Sequence, residues 1–147
     1  MAERTIAGRT INGTAGARIV VPEMTVRLAG ALLALATAAV HVADQGGITS
    51  FNAPPDWLGW AFRLVEAGGV VTAVAVLLPL DWLGWVGALL LGAGPFLGYL
   101  ATRSVGLPGD PGDVGNWGDW VGTVSLFIEA ALIMLSLSML LARRRHR

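Results

Sequence analysis

The pentapeptide Asp56-Trp57-Leu58-Gly59-Trp60 returns unchanged at Asp81-Trp82-Leu83-Gly84-Trp85, and a shorter copy, Asp119-Trp120-Val121-Gly122, opens the last apolar run of the chain. An aspartate just before a helix accepts hydrogen bonds from the free amides of its first turn and opposes the positive end of the helix dipole. Tryptophan favours the headgroup level of a bilayer. The phrase therefore predicts three helix starts at membrane surfaces, with Asp56, Asp81 and Asp119 as caps. Trp57 with Trp60, Trp82 with Trp85, and Trp117 with Trp120 are expected to mark the bilayer faces.

Working outward from these starts, four apolar runs emerge: Leu28 to Ala43, Leu64 to Leu80, Trp82 to Ala101 and Trp120 to Ala142. Each, with its flanks, approaches the ~20 residues that cross a bilayer as a helix. The runs lack the alternation of a membrane β-barrel, so helices are the backbone solution that leaves no polar group unpaired in lipid. The composition agrees: 54% of the 147 residues are hydrophobic and 14% are charged. The expected fold is all-α, an integral membrane protein with four transmembrane helices in an up-down-up-down bundle. Residues 1–23 are expected to form a flexible cytoplasmic tail, 24–142 the four-helix transmembrane domain and 143–147 a basic cytoplasmic tail. A cleaved signal peptide ending near the first apolar run is the alternative for the N-terminal segment.

Formal net charge is zero, but the charges are segregated. Arginines gather at Arg4, Arg9, Arg18 and Arg27 and again at Arg143, Arg144, Arg145 and Arg147. The segments after helices one and three carry Asp44, Asp56, Asp110 and Asp113 against Arg103 alone. By the positive-inside rule both termini are cytoplasmic, in a multi-pass protein of the cell membrane. The partners this implies are the lipid bilayer and either further copies of the chain or a membrane complex. A neutral chain without a basic face is not expected to bind nucleic acid. The absence of cysteine excludes disulfides and thiolate chemistry.

Charges inside the predicted spans are costly and mark candidate sites. Glu66 and Glu129 each lie ten residues after a capping aspartate, at one depth ~15 Å below the outer surface. The shared spacing suggests that helices one and two and helices three and four are two repeated hairpins. In such a bundle Glu66 and Glu129 would face each other across the core, Arg63 would pair with Glu66 one turn away, and Arg103 would snorkel outward. His41, Asp44, Arg63, Glu66, Tyr99 and Glu129 are thus expected to form a polar cluster in the outer half of the bundle, above an apolar inner half. Gly94 and Gly98 form a small-xxx-small pair suited to close helix contact, and Pro95 between them is expected to kink helix three.

Several readings of the cluster compete. It is a network of ion pairs that fixes helix register, or a binding pocket for a small polar ligand, a lipid headgroup or an ion. The Glu-x-x-His pairs of di-iron bundles are missing, one histidine among carboxylates identifies no metal, and no cofactor is specified. The acidic loop with Asp110, Asp113, Asn116 and Asp119 is read as turn-rich and exposed, with calcium chelation the alternative. No nucleophile–base pairing, phosphate loop or cofactor fingerprint is present, so catalysis is the least supported class and a non-enzyme the favoured reading. The expected function is an accessory or small-ligand- or ion-binding membrane protein. The alternatives are a structural interaction subunit of a larger membrane complex, a transporter component or a membrane enzyme.

The segments GYLATRSVGLPG, Gly98 to Gly109, and DVGNW, Asp113 to Trp117, precede a glutamate-bearing last helix. In these features, which cover helices three and four, the chain resembles small uncharacterised four-helix integral membrane proteins of bacterial, actinobacterial type. The resemblance implies the fold and the membrane and attaches no activity and no site residue.

Overall fold

A computed structural model describes residues 23–49, 56–80, 82–109 and 111–144. The tail before residue 23, the cap at Asp81, the loop residue Asp110 and the terminal Arg145 to Arg147 lie outside these described residues. Among the described residues there are four helices: α1 Glu23–Asp44, α2 Asp56–Leu77, α3 Trp82–Ser104 and α4 Trp120–Arg144. Glu23, assigned from sequence to the tail, is the first residue of α1. Arg143 and Arg144 likewise belong to α4. The third cap is seen directly, since the amides of Val121 and Gly122 donate to the Asp119 carboxylate at 3.1 and 3.3 Å.

Each helix packs on its neighbour in sequence, and α4 closes the ring against α1. Contacts run antiparallel. A Cβ at Gly84 would meet Ala75 and Val76, one at Gly87 would meet Thr72, and one at Gly68 would meet Leu91. The buried face of α1, Gly30, Ala31, Ala34, Thr37, Ala38 and His41, recurs at helical spacing and is almost all small. That lets α2 approach closely, and a Cβ at Gly69 would come within 2.7 Å of both the Ala34 carbonyl and the Ala38 methyl. Of the two diagonals, α1 touches α3, and α2 does not touch α4.

Trp85 explains the closer diagonal. Its side chain is fully buried, and its ring lies so near Gly30 of α1 that a Cβ there would sit 2.9 Å from it. The expectation that Trp85 marks a bilayer face is therefore corrected: Trp82 is exposed, while Trp85 fills the apolar core with Ala31, Ala34, Ala73, Val76, Ala88 and Leu132. A bulky ring fits there because the diagonal helix offers no side chain at position 30. At the same end of the bundle Arg27 donates to the carbonyls of Val76 and Leu78, both at 2.8 Å. It supplies the C-terminal end of α2 with the positive charge that α2 itself lacks. Glu23 bridges Arg27 and Arg143, at 2.8 and 3.3 Å.

All four helices are long and apolar enough to cross a membrane. Only 22% of each of the spans in α2, α3 and α4 is buried inside the bundle. Leu64, Val71, Leu90, Leu97, Phe127 and Met134 instead point outward. A continuous apolar exterior would be an unstable patch in water and is what a lipid-facing surface requires.

Candidate functional site: a cleft between α2 and α3

The register between α2 and α3 loosens from one end to the other. A Cβ on Gly84 would lie 2.7 Å from the Ala75 carbonyl, one on Gly87 would lie 3.6 Å from Thr72, and ones on Gly94 and Gly98 would meet nothing within 4 Å. Two glycines one turn apart supply no side chain to cross the gap, and the helices stand apart there. Gly94 and Gly98 therefore make no close contact with another described helix of the bundle. They line a cleft of about 560 Å³, within the range of small-molecule sites. Leu64 and Leu90 line it too and are largely exposed, so the cleft opens on the flank of the bundle between α2 and α3. α3 runs unbroken through Pro95, which also lines the cleft and, having no amide hydrogen, leaves the Leu91 carbonyl without its helical donor.

At the end where α1 and α3 finish and α4 begins, the cleft wall turns polar. His41 and Asp44 come from α1, Tyr99 and Arg103 from α3, Asp113 from the loop, and Asp119 and Ser125 from the start of α4. Arg103 is buried rather than snorkelling outward. Its guanidinium pairs with Asp113, and with Asp119 at 3.1 Å, and stacks 4.7 Å from the centre of the Tyr99 ring. The Tyr99 ring in turn meets Trp117 edge-on at 6.3 Å. Two members of the acidic loop, Asp113 and Asp119, are thus engaged by a cation of the protein itself. Among the described residues no three His, Asp or Glu side chains converge in a group that could hold a metal ion.

The six residues singled out from the sequence divide into three sets. His41, Asp44 and Tyr99 line the cleft. Arg63 and Glu66 form the expected pair at 2.6 Å but do not line it. Glu129, fully buried, stands behind the wall: Ser125, which does line the cleft, donates a short hydrogen bond to its Oε1, and His41 Nε2 approaches the same oxygen to 3.9 Å. Glu129 turns to His41 on α1 and to Ser125 on its own helix, and the α2 backbone stays farther from α4 than that of α1 does. His41 is steadied by the Thr37 carbonyl, 2.9 Å from Nδ1, and by the Phe62 ring at 5.4 Å.

Sequence reasoning missed Arg103, Asp113, Asp119 and Ser125 as members of the wall. Two signals were present. Tyr99 and Arg103 are four residues apart, which stacks them on one helical face. Ser125 precedes Glu129 by the same interval, and a search for charged partners passes over a hydroxyl. Together, fold and site define a four-helix bundle of membrane-spanning dimensions with a lateral cleft, apolar along its length and polar at one end. Comparison with protein-family models, with curated proteins and with solved structures returns no match to this chain.

Proposed function

We propose that the protein is a multi-pass cell-membrane protein that binds a small amphiphilic molecule in the α2–α3 cleft, without catalysing a reaction on it. Both termini lie in the cytoplasm and the polar end of the cleft faces outward, as the arginine distribution requires. The proposal groups the chain with the small bacterial four-helix membrane proteins that its last two helices resemble. The single observation that carries it is the cleft itself: about 560 Å³ of space, open to the flank, bare at Gly94 and Gly98 and polar at one end only. A packed structural network would leave no such space, and a bare ion would have no use for the apolar length.

The test is native mass spectrometry of the protein extracted in a mild neutral detergent, beside a Gly94→Leu/Gly98→Leu variant whose side chains fill the cleft. The unaltered chain is expected to retain a bound small molecule that the filled variant loses while keeping its helical content. No retained molecule, or the same one in both, would overturn the reading. A second reading, an interaction subunit, draws on the same bare glycines, which suit a transmembrane helix of a partner. It calls for a discrete larger complex in the same spectra.

A further inference from the structure

The charges on the cleft wall do not balance, and the imbalance sits at the polar end. Among the described residues lining the cleft Arg103 is the only arginine or lysine, and its ion pairs with described residues are made with acids of the same wall, Asp113 and Asp119. Asp44 adds a third carboxylate from the end of α1, and no ion pair with a described residue neutralises it. Counted formally, with His41 neutral and the three aspartates ionised, the described lining carries one positive and three negative charges.

Resting on the reading of the cleft as a ligand site, we propose that its occupant is a lipophilic cation. An aliphatic or aromatic body lies between α2 and α3, and an ammonium-type head sits beside Asp44. An anionic head would meet the excess of carboxylates and be repelled, although solvent at the exposed Asp44 screens part of the effect. Trp57 and Phe62 line the same end, and ring faces attract a cation, most of all one too bulky to keep a tight water shell; the Tyr99 ring there is already taken by Arg103. The body has room. The lining runs along α2 from Trp57 to Thr72, ~22 Å at the rise of a helix. Leu58, Val65, Leu90 and Leu91 form its apolar sides, and Gly94 and Gly98 leave the passage clear. Head and body thus select together, charge at one end and an unobstructed apolar track behind it.

The experiment uses the full chain in excess dodecyl maltoside, so that a neutral head on the same alkyl body competes throughout. Native mass spectrometry then follows retention of dodecyltrimethylammonium, dodecylphosphocholine and dodecanoate. The ammonium probe is expected to be retained one to one and at least about tenfold better than either other probe, the scale of one close charge pair partly screened by solvent. Asp44→Asn is expected to remove about that factor for the ammonium probe while thermal unfolding stays unchanged. Equal retention of dodecylphosphocholine or dodecanoate would overturn the cation assignment and leave the cleft as a site for amphiphiles of another class. Retention unaffected by Asp44→Asn would overturn the position of the head. If the unaltered chain retains none of the three, the cleft reading and this inference both fall.

Discussion

The imidazole of His41 on α1 directs Nε2 at the Oε1 atom of Glu129 on α4 across 3.9 Å, while Nδ1 lies 2.9 Å from the Thr37 carbonyl. A carbonyl oxygen only accepts, so Nδ1 carries a hydrogen and Nε2 of a neutral ring is itself an acceptor. Ring and carboxylate attract each other only when the pair holds one more proton. With such a proton the pair would tie the first helix to the last behind the cleft wall.

Glu129→Gln keeps the shape, keeps an acceptor for Ser125 and offers an amide donor toward His41. It is expected to change stability by no more than ~1 kcal/mol, whereas Glu129→Ala, which opens a void and strands both partners, is expected to cost ~2–4 kcal/mol. Thermal or denaturant unfolding in detergent distinguishes them. Equal losses would mean that the pair depends on a full negative charge.

Glu66 behaves differently because its partner is a permanent cation. Glu66→Gln leaves the partly buried Arg63 guanidinium without its 2.6 Å carboxylate. The expected cost is ~1–2 kcal/mol, below that of a fully buried pair because Arg63 makes a further contact and both side chains keep some exposure. The larger loss should thus come from Glu66→Gln and the smaller from Glu129→Gln in the same unfolding assay.

Arg103 holds the loop before α4 by two carboxylates and by its backbone carbonyl, which accepts from the Gly115 amide at 2.9 Å. Arg103→Gln leaves Asp113 and Asp119 facing each other without their cation. A stability loss of ~2–4 kcal/mol is expected, together with faster proteolysis between Val105 and Gly118. A stable variant with an unchanged cleavage rate would show that the loop is held by other contacts.

Topology can be read with single cysteines, since the chain has none. With both termini cytoplasmic, Thr49→Cys should react with an impermeant thiol reagent on intact cells, and Arg144→Cys only after permeabilisation. The opposite pattern would invert the orientation and turn the polar end of the cleft to the cytoplasm.

The helices were legible because their signals are local: apolar runs of membrane length, and a capping aspartate whose hydrogen bonds at Asp119 are now visible. The Arg63–Glu66 pair was legible for the same reason, being one turn of one helix. What failed was whatever depended on a neighbouring element. The second copy of the repeated phrase carries Trp85 into the core because Gly30 on another helix makes room for it. Arg103 turns inward because acids ten and sixteen residues later fold back over it. Gly94 and Gly98 look like a packing motif in one dimension, and only the divergence of α2 from α3 makes them the floor of a cleft.

On the proposed reading of the cleft, that divergence would also set the route by which a solute arrives. The α2–α3 hairpin is pinched at Gly84 and gapes on its flank, so a molecule already dissolved in the bilayer can slide in sideways without returning to water. The concentration that governs occupancy is then the one in the lipid, not the one in the medium. Each added methylene would raise apparent affinity judged from water by ~0.8 kcal/mol and leave affinity judged from the bilayer nearly flat. The membrane would thus act as reservoir and collector, and the protein as a reader of what has already partitioned.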